Sequence, residues 1–434
     1  MKTYKYIFAA GCFVFLTSLS AYSFNSKNYI FSSDLQTGIC YTAYKMNFRG
    51  FCNNDIKYAN NDKIPPNSRE AVDFLRLVIK ICPYFYENYW KLAFMYDYAG
   101  DYDNERKILE AMVKYMPKNN KGKDIDYGNL GRVYLITGNT DKAGYWLDKA
   151  NEINPGNIIN RRNSLICYIL KKDFRKAAKE LKAIDKLSGK DNDCYFDAWQ
   201  YCVRNIKDKK EIIKLFRAAC NDNPNSFKAH RALGIAIRTS SEVDYEKNMP
   251  LAIKEFKKAL LLNSRYIPAY ISMGDTYIFL ALIKKEKKPF KEAREWFDKA
   301  YEIDPANTNL AYAMGEYFFY IKDYDKAIEK LEYAYSRNPE NEKFKNDLAA
   351  AYNNKAYFLY KSGENLDYGI KLINKAIKIK PDDGIILSTK AELLYKLGKY
   401  KEAYEYIKRG KKLLPDEDEI KHDFKMIKDA LDKK

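Results

Sequence analysis

Few side chains in this sequence are of the types that carry out catalysis. Among 434 residues there are only 2 histidines, His230 and His422. The sequence therefore offers few ligands for a metal site and few bases for a histidine-based triad. The chain has no glycine-rich phosphate loop, no G-x-S-x-G elbow, no H-E-x-x-H helix and no paired C-x-x-C. Its many carboxylates are spread over helix surfaces and caps. We therefore predict that the protein is not an enzyme and uses no cofactor or metal.

The histidines and cysteines are better explained by packing. His230 coincides with an apolar helix position, which predicts a core or half-buried side chain, and His422 lies on the last helical segment. Three of the 8 cysteines stand beside core positions and are predicted to be buried thiols; they are Cys167, Cys202 and Cys220. Cys40 and Cys52 flank an irregular segment, where a disulfide between them is a further hypothesis.

Small and apolar residues of the stretch from Asp124 to Asn157 recur at fixed spacing. They are Tyr127, Leu130, Gly131, Tyr134, Gly138, Ala143, Leu147, Ala150 and Pro155. The apolar residues recur every three or four positions, which predicts two amphipathic helices. Gly138 suits a left-handed cap between them, and Thr140 or Asp141 is expected to cap the second helix. This hairpin has an apolar face that only neighbouring hairpins can bury.

This spacing resembles the 34-residue tetratricopeptide repeat (TPR), in which two antiparallel helices pack together. The resemblance covers residues 65–434 and implies an all-α TPR solenoid, a right-handed superhelix of antiparallel helix pairs. About nine full repeats follow an N-terminal half-repeat that ends at Pro83, and residues 418–434 form a C-terminal capping helix. The repeats begin at Tyr86, Asp124, Ile158, Asp193, Phe227, Ile267, Thr308, Glu342 and Gly384.

Three of these repeats, beginning at Phe227, Ile267 and Glu342, are longer than the others. An insert of roughly seven residues is expected to add about one turn to each helix of a hairpin. The middle hairpin carries four lysines near its tip, followed by Pro289, where a second helix is expected to begin. The lysines are Lys284, Lys285, Lys287 and Lys288.

The N-terminus has the pattern of a secretory signal. Lys2 and Lys5 precede an uncharged run over residues 6–26, and cleavage is predicted after Ser23. Two alternatives stay open: the run is retained as a membrane anchor, or Cys12 carries a lipid. Residues 24–64 show no sustained periodicity and are predicted to be an irregular leader. We therefore expect an exported protein of bacterial type, in the periplasm or cell envelope.

The formal net charge of +18 favours anionic partners. Lysine greatly outnumbers arginine and is spread around helix surfaces, which indicates an ordinary solvated face for most of it. There is no known nucleic-acid motif, and export argues against nucleic acid as a partner. The alternative function is accordingly that of a basic envelope protein that docks on anionic lipid or cell-wall polymer.

In proteins that this sequence resembles, the first helices of successive repeats line a concave groove that holds a peptide or a partner helix. The resemblance thus implies a non-enzymatic protein–protein interaction scaffold or adaptor, with proteins or peptides as partners and no small-molecule substrate. The candidate groove residues are Trp90, Phe94, Asp97, Arg132, Arg162, Asp197, Tyr201, Arg204, Arg231, Arg238, Asp275, Tyr312, Glu316, Phe319, Asn346, Asn353, Glu392 and Tyr395.

The groove residues differ in character along the chain. Those from Arg132 to Arg238 are mostly basic, which suits a carboxylate-bearing ligand, whereas Tyr312 and Phe319 suit apolar side chains. The Lys and Asn carboxylate clamp of chaperone-binding TPR proteins is not reproduced as a set. An enzyme of unrecognised type stays an alternative, and so does a cytoplasmic regulator if residues 1–23 are not a signal.

Overall fold

Helices account for all the regular structure in the described part of the chain. The computed structural model describes residues 66–81, 83, 86–117, 120–189, 192–240 and 245–433, and these form 20 helices and no strand. The predicted signal, the leader and the Cys40–Cys52 pair lie outside these residues. Two units divide the chain, Met1–Asp173 and Phe174–Lys434.

The first unit contains a single helix followed by helix pairs. Its helices are α1 Pro66–Ile81, α2 Tyr86–Tyr98, α3 Tyr102–Tyr115, α4 Lys123–Ile136, α5 Thr140–Ile153 and α6 Ile158–Leu170. The single helix α1 ends shortly before Pro83, where the half-repeat was predicted to stop. Short connections make α2 with α3, and α4 with α5, antiparallel packed pairs.

In the second unit the pattern of packed pairs holds from α10 onward, whereas α9 packs more closely against α7 than against α8. Its helices are α7 Phe174–Ser188, α8 Cys194–Asn205, α9 Lys209–Asp222, α10 Phe227–Thr239, α11 Tyr245–Leu262, α12 Ile267–Lys284, α13 Lys288–Ile303, α14 Thr308–Tyr320, α15 Tyr324–Arg337, α16 Glu342–Ser362, α17 Leu366–Ile379, α18 Gly384–Lys396, α19 Tyr400–Leu413 and α20 Asp418–Asp432. From α10 to α19, each odd-numbered helix packs most closely against the even-numbered helix before it. We call each helix that begins a predicted repeat, including α6 and α8, a first helix, and the helix that follows it a second helix.

The α4–α5 pair shows why these residues fold into a hairpin. A Cβ atom on Gly131 would lie 2.5 Å from Leu147 Cγ, so the glycine permits the close approach of the two helices. Gly138 has a φ of +83°, as expected for the left-handed residue after a helix. The predicted caps Thr140 and Asp141 are wrong. The helix already includes Thr140, so Asn139 is the cap, and its side chain accepts from Lys142 N at 3.1 Å.

The three long pairs are not lengthened equally in both helices, so that prediction is wrong for two of them. In the first, α10 has 13 residues and α11 has 18, and in the last, α16 has 21 and α17 has 14. Only the middle pair is long in both helices, with 18 and 16 residues. Local stop signals decide this: α16 meets no glycine or proline before Gly363, whose φ of +76° ends it.

Buried tyrosine hydroxyls link successive helix pairs. At equivalent positions of three first helices, a tyrosine donates to a carboxylate on the preceding second helix. The bonds are Tyr134 to Glu110, Tyr168 to Asp148 and Tyr352 to Glu332. Burial, together with the hydrogen-bonded carboxylate Glu110, raises the pKa of Tyr134 to about 12, so its hydroxyl stays a donor. These contacts explain tyrosine at positions where phenylalanine would only pack.

The predicted core roles of cysteine and histidine are confirmed. Cys167, Cys202 and Cys220 are buried, as is Cys194, and none of these four forms a disulfide in the described part of the chain. His230 is only 7% exposed, while His422 is exposed on α20. Within the described ranges, no helix has the length and apolar character needed to cross a bilayer.

Candidate interaction surface on the first helices

In the first unit, Arg132 on α4 is held by two carboxylates. Its Nη2 lies 3.0 Å from Asp97 Oδ1 on α2 and 2.6 Å from Glu105 Oε1 on α3. Glu105 is buried, and desolvation raises its pKa to about 7. Its Oε2 has no hydrogen-bond partner among the described residues. Arg132 therefore neutralises internal charge, and Asp97 remains the more exposed member of the cluster.

Exposed aromatic side chains stand on α2 beside this cluster. Trp90 and Phe94 are 37% and 47% exposed. The Trp90 indole nitrogen donates to Asp126 Oδ1 at 2.6 Å, and Asn120 Nδ2 donates to the other oxygen at 2.6 Å. A pocket of about 500 Å³ is lined by Trp90, Pro117, Asn120, Lys121, Gly122, Ile125 and Asp126. The last groove candidate in this unit, Arg162 on α6, is exposed.

In the second unit, Arg231 on α10 joins three first helices. Its Nη1 lies 3.0 Å from Asp193 Oδ2 before α8, and its Nε donates to Pro268 O on α12 at 3.1 Å. The guanidinium also lies 4.7 Å from the ring centre of Phe196. Tyr266 donates its hydroxyl to the same Asp193 oxygen. With 12% side-chain exposure, Arg231 is a structural cross-link rather than an open cation.

The other candidates on α8 are less buried. Asp197 and Arg204 are exposed, and Tyr201 is half-buried. Desolvation raises the pKa of Tyr201 above its usual value, so the hydroxyl stays protonated near neutral pH. These residues form an accessible strip with one acidic and one basic group.

Four successive first helices, α10 to α16, contribute charged side chains to one cluster, which we call the central charged face. It is formed by Arg238, Asp275, Glu316 and Lys343. Arg238 Nη1 lies 3.6 Å from Asp275 Oδ2, and Lys343 Nζ lies 3.3 Å from Glu316 Oε1. The carboxylate side chains keep 35% and 29% exposure. Partial burial raises the pKa of both the Asp275 and the Glu316 carboxyl groups. The positive charge of Lys343 lowers both pKa values in part, and that of Arg238 lowers the pKa of Asp275.

The predicted apolar groove residues of α14 are largely internal. Tyr312 is 6% exposed, donates its hydroxyl to Asp347 and stacks on Phe344 with ring centres 4.5 Å apart. Phe319 packs against the cores on both sides of α14. The contact residues Lys343 and Asp347 were not among the sequence candidates.

The remaining candidates, on α16 and α18, also differ in exposure. Asn346 is exposed, whereas Asn353 is buried and its Oδ1 has no partner among the described residues. Glu392 is 4% exposed, and desolvation, reinforced by Asp423 of α20, raises its pKa to about 8. Tyr395 packs on Tyr400, with ring centres 5.4 Å apart. Of these residues, Asn346 is the most accessible.

No catalytic or metal-binding arrangement emerges from these contacts. His230 bonds Glu255 Oε2 through Nδ1 at 2.7 Å and Pro224 O through Nε2 at 3.0 Å, so both ring nitrogens are occupied. Within the described ranges, no three His, Cys, Asp or Glu side chains are grouped to hold a metal ion. The accessible chemistry is hydrogen bonding and charge, spread along the first helices.

Residues 127–157 and 269–307 match the family model for the tetratricopeptide repeat. These two matches, together with the packed helix pairs, show that the chain contains tetratricopeptide repeats. It is 30% identical over 115 residues to the mitochondrial import receptor subunit TOM70 of Saccharomyces cerevisiae. The aligned residues make up 26% of this chain and 17% of TOM70.

A longer match is to the Hsp70-Hsp90 organizing protein of Triticum aestivum, 23% identical over 256 residues, or 56% of this chain and 41% of that one. The matches thus span less than half the length of these relatives. Among solved structures, the chain is similar to YrrB, a TPR protein described as having an unusual peptide-binding site. The identity is 19% and the TM-score 0.37, over 48% of this chain and 97% of that one.

Proposed function

We propose that this TPR protein is a non-enzymatic adaptor that binds an extended segment of another protein along the first helices of its second unit. The relatives named above are an import receptor subunit and an organizing protein, names that describe interaction with other proteins. Neither name specifies a partner for this chain, so the proposal concerns the class of ligand.

The observation that carries the proposal is the central charged face. Arg238 and Asp275 pair across neighbouring first helices, and so do Lys343 and Glu316. An extended peptide presents alternating N–H donors and C=O acceptors, which carboxylates and basic groups complement. Neighbouring helices lie about 9 Å apart, so four of them span ~27 Å. That length matches about eight residues of extended chain.

Site-specific crosslinking tests this proposal. A photoreactive amino acid replaces Asn346, which is exposed on the first helix α16, and in a matched control replaces Glu329, which is exposed on the second helix α15. We expect a discrete protein adduct from position 346 and none from position 329. Equal labelling at both positions, or adducts at neither, would contradict binding along the first helices.

A second measurement uses the partner identified in those adducts. The double variant Asp275→Asn, Glu316→Gln keeps the size of both side chains and removes their charge. We expect at least a tenfold loss of affinity, about 1.4 kcal/mol, because two charge-assisted hydrogen bonds are lost. Unchanged affinity would place the binding site elsewhere on the chain.

Export to the periplasm or cell envelope is part of the proposal. It rests on Lys2, Lys5 and the uncharged run that follows them in the sequence. N-terminal sequencing of the protein from its native cell tests it, with Phe24 expected as the first residue. An intact Met1 in a membrane fraction would instead support retention of the anchor.

A further inference from the structure

The turn between α12 and α13 exposes both charge and apolar surface. Lys284, Lys285, Lys287 and Lys288 are all exposed, and Glu286 is the one acidic residue among them. No ion pair involves any of these four lysines within the described ranges. Leu282 and Ile283, immediately before them, are 45% and 38% exposed. We call residues 282–288 the lysine turn.

The lysines at the start of α13 oppose helix stability. Lys287 occupies the N-cap and makes no side-chain capping bond, and the first turn of α13 has no acidic residue. A positive charge there is repelled by the positive end of the helix dipole. Five other second helices of this chain begin with a capping Asp or Asn, whereas α19 begins, like α13, with a lysine that makes no capping bond, Lys399. The capping residues are Asp101, Asn139, Asp208, Asp323 and Asn365. Stability of α13 therefore does not explain Lys287.

The backbone of the lysine turn has a defined conformation that closes α12. Lys285 adopts a left-handed conformation with φ of +54°, and its N–H bonds Ala281 O to close α12. Ala281 and Pro289 are buried beneath the turn. Because α12 has 18 residues and the next first helix, α14, has 13, α12 is longer by about 7.5 Å. The exposed groups are thus held in place at the end of a long hairpin.

We propose that the lysine turn docks on the surface of a bilayer containing anionic phospholipid. The four lysines contact the phosphate layer, where each basic residue contributes about fivefold in affinity. Leu282 and Ile283 enter the boundary between headgroups and acyl chains. A nucleic acid or acidic polymer would satisfy the lysines but would leave these two apolar side chains in water. That difference is why we assign a lipid surface.

Vesicle co-sedimentation of the full chain tests the proposal. Vesicles of phosphatidylcholine alone are compared with vesicles containing about one third phosphatidylglycerol. The variant is Lys287→Asp, and the matched control is Lys399→Asp, because Lys399 is also an N-cap without a capping bond, at the start of α19. Both substitutions change net charge equally, and all proteins share the same first 26 residues, so any contribution from that segment cancels.

We expect opposite effects of Lys287→Asp on folding and on binding. A capping aspartate raises the melting temperature in both variants. Binding to anionic vesicles falls about 25-fold for Lys287→Asp, fivefold for the lost positive charge and fivefold for the added negative one. It changes less than twofold for Lys399→Asp. Leu282→Ser with Ile283→Ser removes the part of the binding that persists at high salt.

Several results would overturn the proposal. Equal weakening by Lys287→Asp and Lys399→Asp would mean that net charge alone attracts the vesicles. Equal binding to neutral vesicles would remove the role of the lysines. If the serine variant binds like the original chain, and heparin competes fully, the surface recognises a soluble polyanion rather than a bilayer.

Discussion

Adding one methyl group to either of two glycines in the α4–α5 pair should change stability in opposite directions. A Cβ on Gly131 would lie 2.5 Å from Leu147 Cγ and 3.3 Å from the carbonyl oxygen of Ala143. Leu147 has no exposed surface, so moving its side chain would disturb the surrounding core. A Cβ on Gly144 would lie 3.5 Å from Cys167 Sγ, which is an ordinary contact. Both glycines are in helices, so alanine gains the same helix propensity at each.

The magnitudes follow from these distances. Overpacking destabilises the folded chain by about 1 to 3 kcal/mol. Replacing glycine by alanine inside a helix stabilises it by about 1 kcal/mol. Gly131→Ala should therefore lower the free energy of unfolding by up to ~2 kcal/mol, and Gly144→Ala should raise it by ~0.5 to 1 kcal/mol. Adding Leu147→Ala to Gly131→Ala should cost less than the sum of the two single changes, because the new methyl occupies part of the cavity.

Hydrogen exchange of the amides in α4 and α5 is the appropriate assay, because it reports local opening without assuming a single transition for the whole chain. Exchange should accelerate in Gly131→Ala and slow in Gly144→Ala. The reasoning would be refuted if both variants shifted the same way by similar amounts, because propensity alone would then account for them.

Three further predictions concern buried ionisable groups. Hydrogen bonds with Cys220 and Glu255 raise the pKa of His230 to about 10, so the folded chain keeps a proton that the unfolded chain releases above about pH 6.5. Urea unfolding should show stability falling between about pH 6.5 and 10, with a smaller slope in His230→Phe; equal slopes would contradict this. Glu392 has a pKa of about 8 in the folded chain, so the unfolded chain loses this proton first and stability should fall as the pH rises from about 4.5 to 8. Glu392→Gln should therefore be more stable than the original chain at pH 8. A less stable variant would show that the carboxylate is favourably bound. Lys228→Met should lower the free energy of unfolding by ~3 kcal/mol, because Lys228 Nζ pairs with Asp185 at 2.9 Å and donates to the backbone carbonyls of Gly189 and Asn192. Lys390→Met should be neutral or stabilising, because burial lowers the pKa of Lys390 and its hydrogen-bond acceptor is the neutral amide of Asn374. If thermal melting shows Lys390→Met to be the more destabilised variant, the distinction is refuted.

Helix positions could be predicted from the sequence because their signals are local. Pro289 lies in the first turn of α13, and Gly138 has the left-handed conformation expected after α4. The exposure of groove candidates could not be predicted in the same way. Arg231 looks like an open cation until Asp193, 38 residues earlier, is brought against it, and Tyr312 is buried by a helix that carries Asp347, 35 residues later. Such partners are set by packing between repeats, which local spacing does not encode.

Only some boundaries between successive helix pairs contain a hydrogen bond from a tyrosine hydroxyl to a carboxylate, so these boundaries differ in the interactions that stabilise them. Where Tyr352 donates to Glu332, the bond to a charged group is worth about 1.5 to 3 kcal/mol. Phe318 occupies the equivalent place on α14 and has no hydroxyl, and Arg294 of α13 instead lies 5.3 Å from its ring centre. Such a contact is worth only about 0.5 to 1 kcal/mol. At the boundary between α13 and α14, packing of Tyr317 against Phe290 and Phe297 takes the place of that hydrogen bond. The stability of this boundary should therefore depend less on the charge of a carboxylate than the stability of the boundary between α15 and α16.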